Sequence, residues 1–323
     1  FIQNIDQYYI EIGLVMLALI YILNYFNGKN TNLKMAATWV QENREVFDQN
    51  FAAVGVSNGK PGPILDEDSA NGYKFYATGR VNCNYALVSL DLQKRQDLLS
   101  MYVLSFIWPE KDRVTIEIPI DLKTPIPIVF AAIKKREVKK MQEANPDIKG
   151  LCRKLRYDSL ANDYVVLGEF EETTDYVLSE SIVSMLNKNA NLIQLLSFSD
   201  QRYAQKLVLR CEMLLSSNLK QDGKKYSTIL RGLFYMVDQI VNYKMSQGAR
   251  QKAEQERQAL EKAREKENAE KRNEELQKKK EEKRKAEEER MKSMSKEALR
   301  KLEEKEQKRE MKKKLRSKYV KVQ

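Results

Sequence analysis

The 323-residue sequence contains no histidine and only three cysteines. Without histidine there is no imidazole for acid–base catalysis, for activating a serine or cysteine nucleophile, or for a histidine-containing zinc site. The three cysteines, Cys83, Cys152 and Cys211, are far apart and odd in number, so they form neither a C-x-x-C motif nor a paired disulfide framework. A reduced body that faces the cytosol is the simplest interpretation.

Motifs that would bind metals or phosphates are also missing. The acidic run at 66–68 lacks the ligand spacing of an EF-hand calcium loop. Gly59-Lys60 is followed by Pro61, where a phosphate loop requires serine or threonine. We therefore predict no catalytic residue, no metal ligand and no bound cofactor in this chain, and we predict that it is not an enzyme.

One long apolar run lies near the N-terminus. Residues 12–28 carry no charge, and at about 1.5 Å per residue they reach roughly 25 Å, near the short end for a bilayer core. The run is apolar on all sides rather than along one stripe, which favours a membrane span over a buried core helix. The residues assigned to the span are Ile12, Gly13, Leu17, Ala18, Tyr21 and Tyr25.

The charges on the two sides of this run predict its orientation. Asp6 and Glu11 precede it, whereas Lys29 and Lys34 follow it, so the positive-inside rule places the N-terminus in the lumen and the rest of the chain in the cytosol. The predicted segments are a lumenal edge with a transmembrane helix at 1–28, a cytosolic domain at 29–248 and a charged tail at 249–323.

The predicted cytosolic domain mixes strand and helix patterns without a regular βαβ rhythm, which indicates an α+β fold. Strands are predicted at 73–81, 85–92, 113–120, 126–133, 164–170, 193–198 and 206–214, and helices at 32–50, 93–108, 134–144, 174–187 and 226–245. Pro119 predicts that the strand 113–120 lies at a sheet edge. The apolar runs 98–108 and 125–133 are too short to cross a bilayer, so we expect both in a soluble core.

The composition of the tail predicts a long charged helix. Residues 249–323 contain no glycine or proline and carry 28 basic and 18 acidic side chains, whereas residues 1–248 carry 29 basic and 28 acidic ones. Between Arg250 and Arg290 only Leu260 and Leu276 could fill the apolar seam of a coiled coil, so the composition favours a solitary helix. Glu-to-Lys pairs four residues apart would support it, and a disordered tail is the alternative.

A cluster of cations ends the tail, with no acidic residue after Glu310. The cluster consists of Lys312, Lys313, Lys314, Arg316, Lys318 and Lys321. Such a cluster favours binding to a polyanion. The long helix of the tail could carry the cluster away from the bilayer to the RNA of a large neighbouring particle. RNA contact is the leading hypothesis, while anionic lipid and a plain solubility tail are the alternatives.

Several short segments resemble one known family. They are YYIEI and NYFNGKN within residues 8–30, Trp39, Arg44-Glu45, Asn50-Phe51, Val54-Gly55, Gly79-Arg80-Val81 with Cys83, the run KRQDLL at 94–99, and Phe198-Ser199-Asp200-Gln201. Together with the order of span, α+β domain and charged helical tail, they resemble the family of coiled-coil domain-containing protein 47, or calumin, a single-span protein of the endoplasmic reticulum.

This resemblance implies a non-enzymatic endoplasmic reticulum protein of the protein-associated-with-translocon (PAT) complex. It implies four kinds of partner: a small Asterix-like membrane subunit, the Sec translocon, the ribosome through its RNA, and client transmembrane helices that the complex shields as an intramembrane chaperone for multipass proteins. Arg80, Lys94 and Arg95 resemble family positions and are candidate partner or ribosome contacts, with a plain solvated face as the alternative. The family's calcium binding is attributed to an acidic lumenal region upstream of these residues. A membrane-anchored structural tether and a calcium-handling protein are the alternative hypotheses.

Overall fold

The structure is a computed structural model that describes residues 8–55, 64–107, 109–122, 124–203, 206–293 and Met311. Its internal contacts divide the chain into two units, Phe1–Arg257 and Gln258–Gln323. The described strands all belong to the first unit, as do seven of the helices and the first turns of the last one.

The helices and strands of the described residues have the following bounds. The helices are α1 (Tyr9–Asn50), α2 (Ser105–Ile107), α3 (Val138–Ala144), α4 (Pro146–Leu151), α5 (Glu171–Val177), α6 (Glu180–Lys188), α7 (Leu219–Val241) and α8 (Gln247–Ser293), and a π-helical turn, Ser100–Leu104, leads directly into α2. The strands are β1 (Ala53–Val54), β2 (Asp66–Glu67), β3 (Gly72–Thr78), β4 (Tyr85–Asp91), β5 (Arg113–Pro119), β6 (Val129–Lys134), β7 (Arg153–Leu155), β8 (Tyr164–Gly168), β9 (Ile193–Tyr203) and β10 (Lys206–Leu214).

Within the described residues, ten strands form one antiparallel sheet in the order β1-β3-β4-β5-β10-β9-β6-β8-β7, with β2 also paired to β3. The interior strands β6 and β10 are buried along most of their length, and in β6 this agrees with a nearly continuous apolar sequence. An antiparallel sheet with an N-terminal apolar helix and further helices confirms the α+β prediction.

The C-terminal half of α1 is a core helix of this domain. Trp39 is fully buried between Phe75 of β3 and Tyr226 of α7, with ring centroids 6.4 and 6.2 Å away. Phe47, two turns further on, packs edge-to-face on Phe75 at 5.2 Å and on Phe234 at 5.9 Å. The buried residues of α1 recur at helical spacing, so one stripe of the helix is held between β3 and α7.

The prediction that residues 113–120 form an edge strand is wrong. β5 lies inside the sheet, between β4 and β10. Pro119 is tolerated because it is the last residue of β5, and the pairing with β4 already ends at Glu117. The proline therefore lacks its N–H at a point where no β4 residue is paired with it.

Two predicted helices also differ from the structure. The helix predicted at 174–187 is divided into α5 and α6 by Leu178-Ser179, where Ser179 has an extended ψ of 158°. Of the helix predicted at 93–108, the described residues form only the part at 98–107, which includes the π-helical turn Ser100–Leu104 and α2. Asn145-Pro146 does end α3, as predicted, but Pro146 also occupies the first turn of α4, a helix that the sequence analysis missed.

The apolar runs outside the span have opposite environments. Residues 128–133 are buried, as expected of the run 125–133. The expectation that the run 98–108 lies in the core is wrong, because its large apolar side chains Leu99, Met101, Leu104, Phe106 and Ile107 are exposed. We refer to residues 99–107 as the apolar turn.

The charged helix α8 follows the predicted tail as far as Ser293. From Glu261 to Lys285, every side chain whose exposure is described is exposed, and this includes Leu276. The tail beyond Ser293, apart from Met311, lies outside the described residues. The solitary helix over the whole tail therefore stays a prediction.

Candidate membrane-facing surface

The N-terminal half of α1 is an exposed apolar rod. Among the described residues, α1 is the one helix that is long and apolar enough to cross a membrane, and its apolar window has no buried residue. From Tyr9 to Phe26 every side chain except Asn24 is exposed. Leaving so much apolar surface in water is costly, so this half of α1 fits a membrane protein.

A polar loop, residues 93–97, is pressed against α1 where the apolar half ends. The Asn24 side-chain amide donates to the carbonyl oxygens of Arg95 and Gln96 at 3.2 and 3.3 Å, and the Tyr21 hydroxyl donates to an Asp97 carboxylate oxygen at 3.3 Å. Gly28 is buried at the same place, and a Cβ there would collide with the backbone of Arg95. The loop and the helix are thus in direct backbone contact.

An ion pair fixes this loop to the sheet and to α1. The Arg95 guanidinium donates to both carboxylate oxygens of Asp112, at 2.8 and 2.6 Å, and to the side-chain oxygen of Asn32 at 3.0 Å. Asn32 is fully buried and donates in turn to the Gln93 carbonyl at 3.1 Å. A bidentate pair of this kind is among the stronger charge-assisted contacts. It joins α1 to the start of β5 through the polar loop.

Replacing Gly28 by alanine is expected to destabilise the domain although alanine is the better helix former. The methyl group would have to displace the Arg95 backbone, and overpacking of this kind costs about 1–3 kcal/mol. Gly13→Ala on the same helix is the matched control, because a Cβ at Gly13 meets nothing. In detergent we expect the thermal midpoint of unfolding to be lower for Gly28→Ala than for the unchanged chain, and unchanged for Gly13→Ala. Equal midpoints for the two variants would contradict the contact.

Arg80 is engaged inside the protein. Its guanidinium donates to the side-chain oxygen of Asn50 and, at 2.6 Å, to a carboxylate oxygen of Asp238, and it lies 5.2 Å from the centre of the Phe234 ring. The side chain is only 13% exposed. Arg80 therefore joins the end of α1 to α7 across the loop that follows β3.

Lys94 is the most accessible of the three candidate partner contacts. It is half exposed, pairs with Glu110 at 3.3 Å and lines a cavity of about 510 Å³ next to the apolar turn. The structure does not bring Arg80 and Arg95 together, since each is bonded to a different carboxylate of the domain. Contact of any of the three with a partner stays a prediction.

The first turns of α8 are held by a buried charge cluster that the sequence analysis missed. The Arg257 guanidinium donates to both carboxylate oxygens of Glu169, at 2.5 and 3.0 Å, and to both of Asp200, each at 3.0 Å. Burial raises the pKa of Glu169, and the hydrogen bonds from Arg257 oppose that rise. The predicted polyanion contacts at 312–321 lie outside the described residues.

The described residues offer little for catalysis or metal binding. They contain no group of three or more cysteine, aspartate or glutamate side chains placed to hold a metal ion. The three cysteines are unpaired, and burial raises the pKa of Cys83 to about 11 and the pKa values of Cys152 and Cys211 further still. Thiols of this kind are poor nucleophiles.

Comparison with known proteins decides the family. The model of the family described as "PAT complex subunit CCDC47" matches residues 7–313, which is nearly the whole chain. This chain belongs to that family. The resemblance seen in the sequence is therefore confirmed, and it covers the span, the sheet domain and most of the tail.

Individual members of the family show the same extent of similarity. The proteins named PAT complex subunit CCDC47 of Macaca fascicularis and Homo sapiens are each 29% identical over 287 residues, covering 79% of this chain and 58% of their own length. An uncharacterized protein of Arabidopsis thaliana is 30% identical over 268 residues, covering 78% of this chain and 55% of its own. The chain thus spans somewhat more than half the length of these relatives.

Among solved structures, the mycobacterial trehalose monomycolate transport factor A, TtfA, is 12% identical, with a TM-score of 0.30 over 54% of this chain and 75% of that one. A likeness at this level carries no argument about fold or function. The family assignment rests on the sequence relatives, whose name implies a subunit that works in a complex with others.

Proposed function

We propose that this chain is a non-enzymatic endoplasmic reticulum membrane protein that acts at the ribosome–translocon as a subunit of an intramembrane chaperone complex. The complex would shield the transmembrane helices of multipass proteins until they pack. The relatives of this chain are named PAT complex subunits, and the apolar half of α1 suits a membrane-embedded subunit. A polar transmembrane helix left in lipid is destabilised by several kcal/mol per unsatisfied group, so shielding has value without any reaction.

The continuity of α1 is the observation that carries this proposal. One unbroken helix is mostly exposed and apolar from Tyr9 to Phe26, and it is buried in the sheet domain at Trp39 and Phe47. There is no linker between the two halves, so the domain is fixed to the membrane-facing rod. A subunit built in this way holds its domain at the bilayer surface, beside the site of insertion.

The charges around the apolar half support the proposed orientation, whereas the proposed partners come from the family resemblance. Lys29 and Lys34 follow it, so the positive-inside rule supports a lumenal N-terminus and a cytosolic sheet domain and tail. A small Asterix-like subunit, the Sec translocon and client helices would contact the membrane side. Gly13 has open space around it, which allows a partner helix to approach closely there.

The cation cluster of the tail would contact ribosomal RNA, and this can be tested with two matched variants. The triple change Lys312→Gln, Lys313→Gln and Lys314→Gln removes three charges from the cluster, and Lys278→Gln, Lys279→Gln and Lys280→Gln removes three from α8. Loss of three phosphate contacts should weaken ribosome co-sedimentation. In a plot of the logarithm of the binding constant against the logarithm of the salt concentration, the steepness of the slope should fall by roughly 2–3. The variant in α8 should keep the slope of the unchanged chain.

Purification of both variants in detergent completes this experiment. A small multi-span membrane partner should co-purify with each variant, because that contact is assigned to the span and not to the tail. Equal ribosome binding by the two variants at every salt concentration would refute the RNA contact. Loss of binding to anionic vesicles, with ribosome binding intact, would assign the cluster to lipid instead.

A further inference from the structure

We propose that the apolar turn, residues 99–107, is a second membrane-embedded element, which inserts beside α1 into the leaflet nearest the sheet domain without crossing the bilayer. The inference rests on the proposed span by α1. It follows from where the polar loop carries the chain, from the exposure of the turn, and from the way its polar groups are satisfied.

The polar loop runs along α1 toward the apolar half of the helix. Arg95 lies against Gly28, the carbonyls of Arg95 and Gln96 accept from Asn24, and Asp97 accepts from Tyr21. Tyr21 precedes Gly28 by seven residues, which is about 10 Å along a helix. Asp97 therefore lies beside the end of the uncharged run, near the boundary of the bilayer core in the proposed arrangement.

From that depth the chain continues directly into exposed apolar side chains. Leu99 follows Asp97 by two residues, and Phe106 has 92% of its surface exposed. Ordinary monomer surfaces seldom carry so many large apolar side chains together. The turn begins against the same helix whose apolar window has no buried residue, so one lipid phase would cover both.

The polar groups at the start of the turn are satisfied in a way that a bilayer tolerates. The Asp97 carboxylate accepts from the Leu99 N–H at 3.1 Å, from the Ser100 hydroxyl at 2.6 Å and from Tyr21, and the Asp97 carbonyl accepts from the Met101 N–H at 2.9 Å. The Ser105 hydroxyl is bonded to the carbonyl of Met101. Backbone in lipid must be paired internally, and helical turns achieve this.

The length of the turn limits it to one leaflet. The helical part, residues 98–107, has ten residues and reaches about 15 Å, which is half of a bilayer core. Short helices of this kind lie in the interface and bury their apolar side chains among the outer acyl carbons. The turn would then widen the membrane anchor beyond the single helix.

Depth-dependent fluorescence quenching in vesicles of phosphatidylcholine alone tests the proposal. The full chain is labelled with a bimane probe at Phe106→Cys, with Leu17→Cys in the apolar half of α1 and Val81→Cys, 78% exposed on the loop after β3, as matched controls. The unchanged chain provides the blank, because its three thiols are poorly reactive. Lipids carrying a nitroxide near the headgroup should quench Phe106→Cys roughly threefold more than Val81→Cys.

Each outcome separates the turn from the span. Quenching at Phe106→Cys that is strongest with the shallow nitroxide supports the proposal. Quenching at Leu17→Cys but not at Phe106→Cys overturns the proposal and leaves the span intact, whereas quenching at neither overturns both. A Phe106→Cys probe that is unquenched in these vesicles but shielded from water in whole microsomes would assign the turn to a protein partner, which also overturns the proposal.

Discussion

Replacing Arg257 by methionine is expected to cost about 3–5 kcal/mol and to release the first turns of α8 from the sheet domain. The side chain of Glu169 is only 1% exposed, and both of its oxygens accept from this one guanidinium, as do both oxygens of Asp200. Methionine fills a similar volume but leaves a buried carboxylate without its cation. Breaking such a pair by removing one partner is among the most destabilising single changes.

Hydrogen exchange of the backbone in 247–257 measures this effect directly. Arg250→Met is the matched control on the same helix, because Arg250 is half exposed and pairs with Glu254 at the surface, which contributes at most about 1 kcal/mol. The double variant Arg257→Met with Glu169→Gln should regain part of the loss, since the unpaired charge is then gone. Protection in Arg257→Met equal to that in Arg250→Met would show that the cluster does not hold the helix.

The loss in Arg257→Met should also depend on pH. Burial already raises the pKa of Glu169, and removing the opposing hydrogen bonds from Arg257 should raise it further. A carboxyl with a higher pKa in the folded than in the unfolded state favours folding below its unfolded pKa, and this contribution is lost as the pH rises through the folded pKa. The deficit should therefore be larger at pH 8 than at pH 5, and a deficit independent of pH would contradict this explanation.

Replacing Trp39 by alanine is expected to lower the free energy of unfolding of the sheet domain by about 3–5 kcal/mol. Trp39 is fully buried and contacts one aromatic ring on β3 and another on α7, so its removal leaves a large cavity between α1, the sheet and α7. For a domain with a stability in the ordinary range, this is a large part of the total.

Chemical unfolding in detergent measures the change, with Leu33→Ala as the control on the same helix. Leu33 is exposed, so its truncation should change stability by roughly 0.5 kcal/mol or less. Trp39→Ala should remain in the membrane fraction after alkaline extraction, because the apolar half of α1 is unchanged. If both variants unfolded at the same denaturant concentration, the C-terminal half of α1 would not be the core helix described here.

The strands could be predicted from the sequence where the local pattern determined the outcome. β10 has the predicted bounds, 206–214, and β4 and β8 lie within their predicted ranges, because alternating or continuous apolar residues bounded by turn residues decide these elements locally. The apolar turn was assigned to the core because apolarity predicts removal from water but does not say whether protein or lipid provides the cover. The position of β5 depends on pairing with distant strands, which no local pattern contains.

The internal partners of the candidate site residues could not be predicted for a similar reason. Arg80 is 158 residues away from Asp238 along the chain, and Arg257 is 88 residues away from Glu169. Arg257 also lies among many similar cations of the tail, and nothing in its immediate sequence distinguishes it. Only the folded sheet brings Glu169 and Asp200 together at Arg257. For Arg80 and Arg95, the family resemblance indicated the positions but not the residues that they contact.

The unbroken course of α1 has a mechanical consequence. At about 1.5 Å per residue, its 42 residues form a rod some 63 Å long, with its C-terminal half packed in the sheet domain and its N-terminal half in lipid in the proposed arrangement. A rigid rod cannot bend at the bilayer surface, so any change in its tilt would swing the whole domain. Because the uncharged run is short, it has no surplus length to take up by leaning. If the apolar half of α1 spans the bilayer as proposed, a thicker bilayer would therefore draw the domain toward the lipid headgroups.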